Sequence, residues 1–172
     1  MPDEIINAWK DIPTWMSGHC KIVFIYNKPF WRENNYSGEV FSHYGPLSEI
    51  YDASPQSEEH YALTSFVGLN SQQRKQVDQK QLIDSSMAQL QRLFGDESKN
   101  VIDIQIKDWS LDEHTTTETD LTSPMQHPQY PEDTSKHFWN KKLILAGTEV
   151  AREHGGYLEG AIESADEAIK YC

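Results

Sequence analysis

The chain has 172 residues, enough for one domain with a real core. A net charge of −12 leaves no basic patch for unspecific binding to nucleic acid or to an anionic membrane surface, and no apolar stretch reaches the length of a membrane span. Two cysteines, Cys20 and Cys172, cannot build a disulfide framework and read as free thiols; the acidic start Met1-Pro2-Asp3-Glu4, with no long apolar segment behind it, predicts a cytoplasmic protein.

In chain order, residues 5–16 read as a short helix or irregular lead-in, with Ile5, Ile6, Trp9, Ile12 and Trp15 apolar and Pro13 ending any helix. Residues 19–27 alternate: Cys20, Ile22, Phe24 and Tyr26 share one face, Lys21, Val23 and Ile25 the other, which predicts a strand with both faces mostly buried. Residues 29–38 read as an aromatic-rich connection. Residues 39–44 and 47–51 flank Gly45-Pro46 as a hairpin, residues 52–59 are polar loop, and residues 61–69 form a further strand with Leu63, Ser65 and Val67 on one side.

Residues 71–94 predict the one long helix, capped by Ser71, striped by Ile83, Met87, Leu90 and Phe94 and stopped by Gly95. Residues 101–109 alternate again, with Ile102, Ile104 and Ile106 facing one way. Residues 112–135 are rich in Thr, Pro, Asp and His and read as a long polar loop of the kind that serves as a lid or stays partly disordered. Leu143, Ile144, Leu145 and Ala146 make a short apolar run, expected to be a buried strand, that stops at Gly147. Gly155 and Gly156 then precede a helix whose Leu158, Ala161, Ile162, Ala165, Ala168 and Ile169 recur on one face. Adjacent glycines at a helix start let a planar ligand approach unpaired N–H groups and the positive dipole end, the layout of a cofactor seat. Strands, a long helix, another strand and a last strand and helix give an α+β class with a mixed or antiparallel sheet.

The order Ala146-Gly147-Thr148-Glu149, then Gly156-Tyr157-Leu158-Glu159-Gly160-Ala161 and a Ser/Ala-rich helix, resembles the C-terminal flavin-binding signature of the flavin-containing monoamine oxidase family. A second block, Lys21 followed by Lys28-Pro29-Phe30-Trp31-Arg32, Ser37-Gly38 and Tyr51-Asp52, resembles that family's substrate-domain segment. The resemblance runs from about residue 13 to residue 168. It implies that residues 1–140, including the loop 112–135, are a partial substrate domain, and that residues 141–172 are the terminal strand and helix of an FAD-binding domain. None of the nine glycines falls in a Gly-x-Gly-x-x-Gly pattern, so the N-terminal dinucleotide-binding part is expected to be absent.

The same resemblance assigns roles. A lysine between apolar strand residues ordinarily packs its stem and leaves its ammonium at water. In this family a lysine at the place of Lys21 reaches a water beside the reactive edge of the flavin and assists hydride acceptance and reoxidation by oxygen. Tyr157 would be one wall of an aromatic cage that orients the amine; otherwise it is a packing aromatic. Gly147, Thr148 and Glu149 would lie along the cofactor, Glu149 near its ribityl or pyrophosphate portion, while Gly156, Tyr157 and Leu158 would present backbone N–H groups to the pyrimidine edge. Counting from Trp109, which matches a family tryptophan, the second cage aromatic and the flavin-linking cysteine of covalent members should fall near Glu118 and Thr119; with neither an aromatic nor a cysteine there, the resemblance implies non-covalently held FAD and weakened aromatic-amine recognition. His114, His127 and His137 lack metal-ligand spacing and read as surface histidines, and no Gly-x-Ser-x-Gly elbow exists.

The sequence thus predicts a C-terminal fragment of an FAD-dependent amine oxidase that passes hydride from a small amine to flavin in the complete enzyme. It is not expected to turn over by itself or to carry stoichiometric FAD. Its partners would be further copies of itself or the missing flavin domain. The competing prediction is a non-catalytic stand-alone module that dimerises or complements a separate flavin-domain chain.

Overall fold

The computed structural model describes residues 3–57, 59–122, 127–131 and 137–171. Along the chain these form helix α1 (Asp3–Lys10), strand β1 (Cys20–Tyr26), the helical turn α2 (Phe30–Glu33), strands β2 (Val40–Phe41), β3 (Leu47–Asp52) and β4 (Tyr61–Val67), helices α3 (Ser71–Arg74) and α4 (Gln79–Phe94), strand β5 (Val101–Asp108), helix α5 (Glu118–Thr122), strands β6 (His137–Phe138) and β7 (Leu143–Ile144), and helix α6 (Leu158–Ile169). The chain folds as two compact units: residues 18–116, and residues 1–17 together with 117–172.

Residues 18–116 are built on a five-stranded antiparallel sheet of order β2-β3-β4-β1-β5. Alternation along β1 works as the sequence predicts on one face only: Cys20, Ile22, Phe24 and Tyr26 are fully enclosed. On the other face Val23 and Ile25 are half-buried and Lys21 is exposed, so the expectation of two mostly buried faces is corrected. The core that encloses the first face joins Leu47, Ile50, Leu63 and Val67 of the sheet to Leu82, Leu90 and Phe94 of α4. Burial pushes the free Cys20 thiol up to about 11, with the Asp108 charge adding and Arg74 opposing. Cys172 lies outside the described residues.

The long helix is interrupted. Asn70, not Ser71, caps α3 in a reciprocal capping box with Gln73, and Asp78 caps α4 by accepting from the Gln81 N–H at 2.8 Å. The first half of the expected helix has almost no apolar face to hold it on a core, so two side-chain caps divide it. On α4 the enclosed residues are Leu82, Ser86, Gln89, Leu90 and Phe94, whereas Ile83 and Met87 are only half-buried. Gln89 is buried because its amide accepts from the Leu47 N–H and donates to the Leu47 carbonyl, both at 2.8 Å, replacing a missing strand partner. Gly95 ends α4 at φ 87, as expected.

Two further readings change. Residues 29–38 contain α2, which inserts Phe30 and Trp31 into the core against Tyr26 in edge-to-face contacts of 4.9 and 5.8 Å. Asp52 fixes that turn by accepting from Trp31 Nε1 at 2.7 Å and Arg32 Nε at 2.6 Å. Burial works against the Asp52 charge, but these bonds and two from Ser54 hold its carboxyl well below the usual carboxylate range. On β5, Ile104 and Ile106 are half-buried while Ile102 points to solvent. The pairing slips between Ile25 and Tyr26, so that Tyr26 meets Val101 and the extra residue turns Ile102 outward.

The other unit holds α1, α5, a two-stranded β6–β7 ladder and α6. Buried Asp120 ties its N-terminal segment to α5, accepting from the Thr14 and Thr117 N–H groups at 2.7 Å each. The loop 112–135 is therefore not without structure: α5 lies inside it, and its residues 123–126 and 132–135 fall outside the described set. Leu143 and Ile144 are half-buried and Ala146 is exposed, because β7 pairs only with β6 among the described residues. The apolar stripe of α6 is largely uncovered: Leu158, Ile162 and Ile169 are 88%, 59% and 69% exposed, and the helix instead buries Gly160 and Ser164. Among the described residues no helix is long and apolar enough to cross a membrane, and no group of three or more His, Cys, Asp or Glu is placed to hold a metal.

Candidate functional site

After β7 the backbone passes Gly147 in ordinary extended conformation, makes a tight turn over residues 148–150 and returns to the start of α6. Hydrogen bonds fix this path. The Thr148 hydroxyl donates to the Tyr157 carbonyl at 2.7 Å, which clamps the helix start onto the strand end. Glu163, one turn into α6, accepts from the Arg152 N–H at 2.7 Å; this bond first, with others from the same loop, holds its carboxyl below the usual range. Gly160 admits the His154 carbonyl where a Cβ would collide with it. Gly156 stands at φ +85 with the His127 ring where its Cβ would be, so both the backbone conformation and the space require glycine.

A cavity of about 350 Å³ opens beside this turn. The N-terminal segment contributes Trp9, Ile12, Pro13, Thr14 and Trp15 to its wall; Tyr130, Thr148, Glu149 and Gly156 complete it. Among the described residues Glu149 is the one charged residue in the lining. Burial and then the Glu149 charge raise the Tyr130 hydroxyl. The indole N–H of Trp9 is buried without an acceptor among the described residues. Next to the cavity His127 is enclosed by three aromatic rings: Tyr157 stacked at 4.7 Å and 9°, Trp15 tilted at 5.1 Å, and Tyr130 edge-on at 6.1 Å.

The structure therefore gathers Thr148, Glu149 and Gly156 at one cavity and puts Tyr157 beside it. Gly147 and Leu158 do not line it, and Leu158 faces solvent. The Tyr157 N–H, expected to be free for a ligand, already donates to the His154 carbonyl at 3.1 Å. Lys21 belongs to the five-stranded sheet, paired across β4 with Phe66, and its ammonium lies over the Phe66 ring at 4.8 Å. Among the described residues no carboxylate is within ion-pair distance of Lys21, whereas its neighbour Lys107 is paired with Asp112 at 2.6 Å. Glu118 and Thr119 sit exposed on α5. Sequence reasoning missed Trp9, Trp15, Tyr130 and His127. Trp9 and Trp15 were legible only as apolar residues of a lead-in, and His127, expected at the surface, is half-buried.

A family model described as flavin containing amine oxidoreductase matches residues 1–168. The chain belongs to that family. Similar curated proteins include the flavin-containing monoamine oxidase AofH of Mycobacterium tuberculosis (strain H37Rv), 26% identical over 160 residues, and the flavin-containing monoamine oxidase A of Dictyostelium discoideum, 27% identical over 166 residues. Each alignment covers 90% of this chain and 34% of the relative. Among solved structures, cyclohexylamine oxidase from Brevibacterium oxydans IH-35A superposes with a TM-score of 0.71 at 17% identity, covering 99% of this chain and 37% of that one. Putrescine oxidase bound to putrescine gives 0.63 at 18% identity, covering 88% and 34%. The chain thus has the fold of part of a flavin-dependent amine oxidase and spans about a third of the length of the proteins it matches.

Proposed function

We propose that this chain is the C-terminal portion of an FAD-dependent amine oxidase and that the cavity beside Gly156 receives the ring of a non-covalently held FAD. The observation that carries the reading is the convergence of three motif residues, Thr148, Glu149 and Gly156, with the indoles of Trp9 and Trp15 on one ring-sized space. The lining fits one part of the cofactor only. Aromatic walls and a glycine without a Cβ suit a planar ring, and the buried Trp9 N–H suits a ring carbonyl or nitrogen. Among the described residues no Arg or Lys lines the cavity, and the Glu149 carboxylate would repel a pyrophosphate, so the phosphates need residues other than these.

When bound, FAD would accept a hydride from the carbon beside an amine nitrogen. Within the unit that holds the cavity, Thr148 would position the helix start by holding the Tyr157 carbonyl; Lys21 belongs to the other unit, and its role beside flavin is what the family resemblance implies. Fluorescence titration with riboflavin and with FAD tests this. Both should bind weakly, with affinities within a few-fold of each other, and the freshly purified chain should lack stoichiometric flavin absorption. Flavin retained one-to-one through gel filtration, or no saturable riboflavin binding, refutes the reading.

A second reading has its own support. The exposed Leu158, Ile162 and Ile169 stripe of α6 is an apolar helix face of the kind that pairs with another protein surface, so a module that self-associates or docks on a separate flavin-domain chain is the alternative.

A further inference from the structure

His127 is not held like an ordinary core histidine. Its Nδ1 lies 3.0 Å from the Pro128 carbonyl, which assigns the ring proton to Nδ1 and leaves the lone pair on Nε2. Nε2 is buried with no donor among the described residues. It sits against Gly156, where any side chain would meet it. Around it stand the face of Tyr157, the tilted indole of Trp15 and the edge of Tyr130. A histidine kept for packing alone normally has both nitrogens satisfied, whereas an acceptor buried without a donor is a standing cost that release into water removes.

We propose that this enclosure is a binding site for planar nitrogen heterocycles, and that His127 is its intramolecular occupant, displaced when such a ligand binds. The imidazole is itself a planar nitrogen heterocycle, stacked nearly parallel on Tyr157 at 4.7 Å, and at that spacing no second ring can lie between them. Trp15, Tyr130 and Gly156 surround the imidazole and also line the neighbouring cavity, so moving the imidazole aside merges the two spaces and frees the stacked face of Tyr157, a residue already 59% exposed. Taking the flavin ring as the displacing ligand rests on the function proposed above; the heterocycle site itself does not.

The test uses the 172-residue chain and its His127→Ala variant, with folding followed by circular dichroism and with imidazole and riboflavin as separate probes. Imidazole should bind the variant saturably and at least about tenfold more tightly than the parent, a gap of about 1.4 kcal/mol. Riboflavin should tighten at least about fivefold in the variant, because it no longer has to expel the resident ring. Equal imidazole binding by parent and variant overturns the proposal. Imidazole binding to the variant without riboflavin binding to either supports the heterocycle site and removes the flavin reading. The parent alone gives a measurement that needs no variant: the His127 Hε1 proton resonance should start shifted upfield by the Tyr157 ring and move toward its random-coil position as riboflavin binds. A resonance that starts at the random-coil position, or stays shifted while riboflavin binds, overturns the proposal.

Discussion

Arg74→Met should be among the most costly single changes in the sheet unit. Arg74 is 7% exposed overall and all of its nitrogens have acceptors: Nε and Nη2 reach the two Asp108 oxygens at 2.7 Å, Nη1 reaches the Leu69 carbonyl, and Nη2 also reaches the Gly18 carbonyl at 2.9 Å and Ser110. The Gly18 bond fixes the chain just ahead of β1, three residues before Lys21. Methionine keeps most of the stem but leaves Asp108 and two backbone carbonyls without this donor. Breaking a buried pair from one side costs about 3–5 kcal/mol, and because the Asp108 side chain is 17% exposed, water recovers part of that, so about 2–4 kcal/mol is expected. Arg74→Met with Asp108→Asn should cost less than the sum of the two singles, since the pair is lost only once.

The pH dependence gives the same expectation a sign. Burial alone would raise the Asp108 carboxyl, but the hydrogen bonds from Arg74 and Ser110 and the Arg74 charge bring it below the usual carboxylate range. A carboxyl lowered in the native state contributes stability at neutral pH that is lost as pH falls through the carboxylate range. The gap between parent and Arg74→Met, read from urea melts followed by far-ultraviolet circular dichroism, should therefore be full near neutrality and shrink as the pH is lowered through the range where carboxylates protonate. A gap below about 1 kcal/mol, or one that does not change with pH, refutes the account of Arg74 as a buried pin.

Two other expectations concern the site and the exposed helix. In a chain that also carries the complete flavin-binding portion, Lys21→Met should leave flavin content unchanged and stability within about half a kcal/mol while slowing reoxidation by oxygen in stopped-flow measurements; an unchanged rate removes Lys21 from the site. The chain should sediment as a dimer or larger at low micromolar concentration, and Ile162→Glu with Ile169→Glu should return it to a monomer with unchanged helicity, since both side chains are already at the surface; a monomeric parent rules out self-association through α6.

The amino-acid sequence by itself determined the local alternations and the terminal motif. Cys20, Ile22, Phe24 and Tyr26 specify one buried strand face because side chains alternate whatever the neighbours are, and Gly95 and Gly156 mark places where the backbone must turn left-handed. The order Ala146-Gly147-Thr148-Glu149 followed by Gly156-Tyr157-Leu158 carried the family resemblance because each block is contiguous in the chain, and the family model matches residues 1–168. What depends on partners distant in the chain was decided by tertiary structure alone. Gln89 is buried because Leu47 lies opposite it, Ile102 is turned outward by a slipped register against β1, and the expected long helix divides because its first half finds no apolar surface to pack on while Asn70 and Asp78 offer caps. The cavity belongs to the same class. Trp9 and Trp15 lie more than a hundred residues before Gly156, and only folding of the N-terminal segment onto the glycine turn makes them walls of its site. His127 reads as a surface residue in a polar loop until Tyr157, Trp15 and Tyr130 close around it, since a ring stack leaves no periodicity in the sequence.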